Sequence, residues 1–360
     1  MNTYAVSNGA AGTTPGRAAT PHGTATPGRV ATPRRSANRA PRKIVAVLVL
    51  AALLLSGAAA TAVAQDTVTM AIGFIPNIQF APLYVGMEKG FFADENIELE
   101  VEYGFGVDVF SLLSLGRIDV GLSDSDQLIV SGTKDLGLKA IFQYYQAYPV
   151  SVVALADEID EPADLAGASI GVPETYGTSY IGMQAFLVEY GLTADVNVER
   201  IGYTQVPALL NERVDAAVTF SNNEPIQLRL RGHEIVEWEV RDFSDLVGAS
   251  IISSDRILQR RGDVLRRFVR AMRRSVAYTV NNQEEAVELS LPYLGDVPES
   301  QMEFQRRSLA ATAELFVPEE EGAQYGSFDR ERYRASIAAL VNIGLIEEEY
   351  NPSEILEPIE

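Results

Sequence analysis

Apolar positions along this chain recur in two alternating series. Residues 68–72 are a short apolar run that predicts a strand, and Pro76 stops it. Phe80, Leu83, Tyr84 and Met87 then fall at i, i+3, i+4 and i+7, one face of an amphipathic helix that Gly90 ends. A second strand alternates up to Tyr103. The pattern goes on with a helix over 107–115, a strand over 118–122, a helix begun at 127–132, a strand over 138–145 and a fifth apolar run at 151–155. An acidic segment containing Pro162 interrupts it at 157–165. It restarts with a strand at 169–172, a helix over 179–189 and strands over 196–202, 214–220 and 233–240, before a mainly helical region, 255–360. Two successive α/β series with a break between them predict two α/β lobes joined at a hinge. The first lobe is expected over 65–155 and the second over 156–245, with 246–360 returning to the first lobe and adding C-terminal helices.

The two series echo one another. Residues 116–123, Gly-Arg-Ile-Asp-Val-Gly-Leu-Ser, resemble 211–218, Asn-Glu-Arg-Val-Asp-Ala-Ala-Val, each a polar turn, an Asp and a small-residue strand. Each strand ends in polar residues, Ser123 to Gln127 in one and Thr219 to Glu224 in the other. Ligands of open α/β sheets sit in the crevice beyond the carboxyl ends of the strands. Facing lobes with such ends would line a cleft from both sides.

Composition removes whole classes of chemistry. The 360 residues contain no cysteine and two histidines, His22 and His233, which argues against thiolate nucleophiles, cysteine–metal sites, His triads and multi-His metal sites. Residues 1–43 carry a charge of +7 and loose ATPHG, ATPGR and ATPRR repeats, and are expected to be a disordered basic leader. Removing them leaves −27 on the rest, a charge that repels nucleic acid. Residues 44–64 are apolar or small behind a basic flank and end Ala-Val-Ala, which predicts a secretory signal cleaved before Gln65; an uncleaved membrane anchor is the alternative. Gly104-Phe105-Gly106 begins like a dinucleotide fingerprint but has Val109 at the third glycine, and no Walker sequence occurs. No cofactor is expected.

The candidate binding positions follow from the predicted strand ends. Asn77, Gln79 and Phe80 lie where the first strand gives way to its helix, with unpaired N–H groups pointing into the crevice. Asp108 is a further candidate. Asp124 and Asp126 offer acceptors for ring N–H or hydroxyl groups, with a solvated turn as the plain alternative. In the loop over 173–180, Gly177 permits a tight turn and Thr175, Tyr176, Thr178 and Ser179 are candidates, or Thr178 and Ser179 simply cap a helix. Tyrosines gather near strand ends, Tyr144, Tyr145 and Tyr148 in the first series and Tyr176, Tyr180 and Tyr203 in the second. A planar heterocycle needs such faces. Asn222, Asn223 and Glu224 carry donors and acceptors in a row. Trp238 is expected in a core, and the arginines between Arg260 and Arg274 on a helix face that pairs with the acidic body.

Residues 75–102, IPNIQFAPLYVGMEKGFFADENIELEVE, resemble the opening of the solute-binding proteins that serve ABC importers of thiamine-pyrimidine precursors, and more closely the branch that binds riboflavin. The resemblance implies a periplasmic-binding-protein-like α/β fold with a ligand cleft between its lobes. It also implies an exported monomer that is not an enzyme, captures a small aromatic vitamin by hinge closure, and delivers it to a membrane permease driven by a separate ATPase subunit. It makes the loop over 173–180 a principal contact region. Gln79-Phe80-Ala81-Pro82 and the 144–148 region look more like the riboflavin branch. A pyrimidine precursor is the alternative, with the departure that Phe80 stands where that branch usually has His. Sulfonate or nitrate binding fits less well, because the candidate loops carry no Arg or Lys. A related pyrimidine synthase depends on a cysteine-rich motif absent here.

Overall fold

Strand–helix alternation from residue 66 folds as two sheets of one design. The computed structural model describes residues 64–105, 107–134, 136–156 and 159–359, so the expectations for residues 1–63 lie outside the described residues. The first series gives β1 (Asp66–Ile72), α1 (Ala81–Glu88), α2 (Phe91–Asp94), β2 (Ile97–Tyr103), α3 (Val109–Ser114), β3 (Val120–Asp124), α4 (Ser125–Gly132) and β4 (Leu138–Gln143). The second gives β5 (Val150–Leu155), β6 (Ser169–Val172), α5 (Gly177–Glu189), β7 (Asn197–Arg200), α6 (Gln205–Leu210), β8 (Ala216–Phe220), α7 (Glu224–Leu230) and β9 (Ile235–Glu239). The chain then returns through β10 (Ala249–Ser254) and the helices α8 (Asp255–Asn281), α9 (Gln283–Ser290), α10 (Met302–Leu315) and α11 (Arg330–Asn342).

One sheet has the order β2-β1-β3-β10-β4 and the other β7-β6-β8-β5-β9. In each, parallel strands are joined by one antiparallel strand, β10 or β5, and that strand is the one a lobe-to-lobe crossing delivers. This corrects the boundary drawn at residue 155. Residues 150–155 pair with β8 and β9 of the second sheet, so the crossing falls at 144–149. A fully buried apolar strand shows no face preference in its sequence, and nothing local says which sheet receives it.

The echo is a real structural equivalence. β3 and β8 hold the same place, parallel to β1 or β6 on one side and antiparallel to β10 or β5 on the other. Each is preceded by its aspartate, and both aspartates do the same work. Asp119 Oδ2 accepts from the backbone N–H and hydroxyl of Thr69, at 3.0 and 3.1 Å. Asp215 Oδ2 accepts the same pair from Ser169, at 2.6 and 2.7 Å. A carboxylate thus ties the central strand to its parallel neighbour in both lobes, and the Ser169 bonds hold the Asp215 carboxyl below its ordinary range.

The two crossings are locked side by side. Gln143 is buried, and its Nε2 donates to the carbonyls of Tyr145 at 2.7 Å and Gly248 at 3.1 Å, one on each crossing. Its Oε1 accepts from Tyr333 at 2.8 Å. The basic face of α8 pairs with first-lobe acids, Arg261 with Asp119, Arg267 with Asp66, Arg270 with Glu95 and Arg274 with Asp94. The exposed pairs in this set contribute little each. The apolar face of α8, Leu265, Phe268, Val269, Met272 and Val276, packs into the first-lobe core. Trp238 packs against Phe186 in the second lobe, ring centroids 5.7 Å apart.

Candidate functional site

The ends of β1, β2 and β3 face those of β6 and β8, and the loops between them carry the candidate residues. Contact between the lobes is polar at one level. Asp126, fully buried at the start of α4, accepts from the Thr178 hydroxyl at 2.9 Å through Oδ1 and from the Tyr148 hydroxyl at 2.7 Å through Oδ2. Thr178 belongs to α5 of the second lobe and Tyr148 to a crossing, so this carboxyl reaches the second lobe from the first. Tyr148 also lies 2.9 Å from the Thr178 carbonyl. Gln127 Nε2 bridges Asp124 Oδ2 and Thr178 Oγ1, each at 3.3 Å. Burial raises both carboxyls above their ordinary range, and for Asp126 the neighbouring Asp124 charge adds to it.

Aromatic rings meet at a second level. Phe74 follows β1, Phe105 follows β2, and Tyr203 follows β7 in the other lobe. Their centroids are 5.0 Å apart for Phe74–Phe105, 6.1 Å for Phe74–Tyr203 and 4.9 Å for Phe105–Tyr203. Phe105 is 51% and Tyr203 57% exposed, so these faces are open to whatever enters. Phe74 and Phe105 were not among the sequence candidates. The signal was there, a Gly-Phe pair directly after each of two parallel strands, Gly73-Phe74 and Gly104-Phe105.

A third group stands behind. Tyr145 donates to Gln79 Oε1 at 3.2 Å and Tyr144 to the Gln79 carbonyl at 2.8 Å. Asn222, 2% exposed at the end of β8, has a buried Oδ1 with no partner among the described residues. Buried polar atoms are nearly always paired, so such an exception marks a place where a partner is to be expected.

The remaining candidates are used locally. Phe80 lies in the first-lobe core, 6.1 Å from the Tyr103 ring, which takes it away from the ligand-facing role expected of it. Asn77 Oδ1 caps the turn at Ile78–Phe80 through the Gln79 N–H at 3.1 Å. Asp108 caps α3 through Ser111, whose hydroxyl and N–H hold the carboxyl below its ordinary range. Asn223 and Glu224 satisfy each other at 3.0 Å, while Glu224 also accepts from the Phe220 N–H at 2.9 Å and is raised by burial. Their sequence run of donors and acceptors closes on itself. Thr175 and Tyr176 are exposed, Ser179 is half-buried, and Thr175, Tyr176, Asp108 and Gln127 help line a cavity of about 650 Å³ between α3, α4 and the start of α5.

The family described as NMT1/THI5 like matches residues 77–286, which holds most of both lobes. The riboflavin-binding protein RibY of Chloroflexus aurantiacus is 33% identical over 264 residues, 72% of this chain and 75% of that protein. The formylaminopyrimidine-binding protein of Halalkalibacterium halodurans is 28% identical over 261 residues, 69% of this chain and 78% of its own length. Among solved structures, the alkanesulfonate-binding protein SsuA of Xanthomonas axonopodis pv. citri superposes with a TM-score of 0.64 at 13% identity, covering 82% of this chain and 99% of that one. That likeness is one of fold, a periplasmic-binding-protein-like pair of α/β lobes.

Proposed function

Because this chain belongs to the NMT1/THI5-like family, we propose that it is the extracytoplasmic solute-binding subunit of an ABC importer, with riboflavin as its cargo. The observation that carries the reading is the crevice itself. Aromatic faces from both lobes, Phe74, Phe105 and Tyr203, meet beyond the strand ends, and the loops at those ends also carry the buried Asp126 carboxyl and the buried Asn222 amide oxygen, which has no partner among the described residues. A flat heterocycle with N–H and hydroxyl donors matches that set, since stacking takes its faces and the acceptors take its edge. An anion does not, because acids follow the central strand of each lobe, Asp124 and Asp126 at the end of β3 and Glu224 beyond β8. The named function of the Chloroflexus relative supports riboflavin, and that of the Halalkalibacterium relative keeps an aminopyrimidine as the second reading. The names of these two relatives support capture over catalysis.

In this reading the two lobes close on the ligand about residues 144–149 and 243–248, and Asp126, Thr178 and Tyr148 latch the closed form. A membrane permease then receives the closed form, and export past the membrane is the work of the apolar segment at 44–64.

The test is a titration of the purified protein with riboflavin, followed by flavin fluorescence. Saturable quenching is expected, and Tyr203→Ala and Phe105→Ala are each expected to weaken binding about fivefold, the worth of one aromatic contact. A heat signal with formylaminopyrimidine and none with riboflavin would transfer the site to the second reading. Silence toward both, from a protein that melts cooperatively, would refute both ligands.

A further inference from the structure

We infer that Thr312 and Ser308, on α10, are positioning residues that set which end of the Asn222 amide faces the crevice, and thereby make the site select a ligand N–H donor. The ligand half of this inference rests on the proposed function. α10 carries no candidate from the sequence, yet it packs on the turn at Ile78–Phe80 in the first lobe and on α7 in the second.

Counting protons decides the orientation. The Thr312 hydroxyl lies 2.6 Å from the Ser308 carbonyl one turn earlier, and its single proton goes there. Thr312 Oγ1 is then left as an acceptor, and Asn222 Nδ2 donates to it at 2.9 Å. The Ser308 hydroxyl donates to the Asn222 backbone carbonyl at 2.6 Å and fixes the residue from its other end. The amide nitrogen also faces the Tyr145 hydroxyl, whose own proton is given to Gln79 Oε1 at 3.2 Å. The Thr312 and Tyr145 oxygens both present acceptors to the Asn222 nitrogen. A flipped amide would set its oxygen against the Thr312 and Tyr145 oxygens, both with their protons committed elsewhere. Oδ1 is therefore held away from the helix as a buried acceptor without a donor among the described residues. A ring N–H supplies that donor, whereas an N-methylated ring at the same edge brings an apolar group against an unpaired oxygen.

Two measurements on the same variants test this. In the ligand-free protein, the Asn222 side-chain NH2 signal should be protected from hydrogen exchange in wild type and Thr312→Ser, and lose that protection in Thr312→Val. In binding, wild type should prefer riboflavin over its N3-methyl analogue by about tenfold or more, the effect of one buried hydrogen bond. Thr312→Val should bring that preference close to one, and Thr312→Ser should restore it. A merely structural role would weaken both ligands alike and leave the ratio intact. Thr312→Val that keeps the wild-type ratio overturns the inference while leaving riboflavin as cargo. If wild type ignores riboflavin, the proposed cargo fails instead, and an unprotected Asn222 amide in wild type overturns the positioning role separately. Should Thr312→Val not fold, Ser308→Ala, which deletes only the tie to the Asn222 carbonyl, reads the same ratio, and an unchanged ratio there counts against the inference.

Discussion

Gly248→Ala is expected to lower the melting temperature by roughly 6–12 °C, a cost of about 3 kcal/mol at the upper end of overpacking. A Cβ at residue 248 would lie 2.5 Å from the carbonyl oxygens of both Ala147 and Tyr145 and 2.6 Å from the Tyr145 Cβ. Two of those three atoms are backbone, on the crossing that Gln143 pins to this one, so no side chain can swing aside. The two crossings must separate, and with them the Tyr145 hydroxyl that meets Gln79. Gly262→Ala is the control. Its Cβ would meet only the Arg266 guanidinium, at 3.8 Å, an ordinary contact, so its melting point should stay close to that of wild type. Thermal unfolding of the three proteins side by side decides the matter. A Gly248→Ala protein that melts with wild type would mean that the crossings are not held in contact.

The protein should also be more stable on the acid side of neutrality, with Asp126 as the cause. Burial and the Asp124 charge lift its carboxyl to about 7, above the ordinary carboxylate range it has when unfolded. Between those two values the folded state binds the proton and the unfolded state does not. Stability therefore falls as pH rises across that window and levels off once both states are ionised. Each unit of lift is worth about 1.4 kcal/mol, so the total drop is a few kcal/mol. Hydrogen-bond counting points the same way. Tyr148 has one proton and two acceptors, Asp126 Oδ2 at 2.7 Å and the Thr178 carbonyl at 2.9 Å. A proton on Asp126 Oδ2 completes the chain, the carboxyl donating to Tyr148 and Tyr148 to Thr178. Of the titratable groups around it, Tyr148 and Tyr333 are raised by burial and ionise at higher pH still, while Asp124 is also raised by burial and adds a fall of the same sign. Asp126→Asn, which keeps a donor and an acceptor without the titration, should remove most of the fall in stability between pH 5 and 8 and leave the smaller share due to Asp124. A wild-type profile that is already flat, or one that rises with pH, would remove Asp126 from this role.

Much of the architecture was legible because it is written in local periodicity. Alternation and i, i+3, i+4 spacing marked most strands and the first helix to within a few residues, and the paired Asp-led segments at 119 and 215 located equivalent central strands. The arginine face of α8 was readable for the same reason, since residues three and four apart share a side of a helix. The strand at 150–155 was assigned to the wrong lobe because strand character is local and sheet membership is not.

The site divides along the same line. Sequence alone determined that this chain has strand ends rich in polar and aromatic residues, no thiol chemistry, and an opening like that of its family. Those facts follow from residue type and spacing. Only the tertiary structure decided which of those residues face one another. Asn223 and Glu224 turned out to satisfy each other and Phe80 to fill a core, while Phe74, Phe105 and Tyr203 met across the lobes and the Asn222 oxygen was left without a partner among the described residues. Asp126 is joined to the second lobe because Thr178 lies opposite it, and Asn222 donates to Thr312 because that hydroxyl gives its own proton to the Ser308 carbonyl. Whether a polar side chain is a binding group or a satisfied one depends on partners 52 and 90 residues away, and no local pattern encodes contacts at that separation.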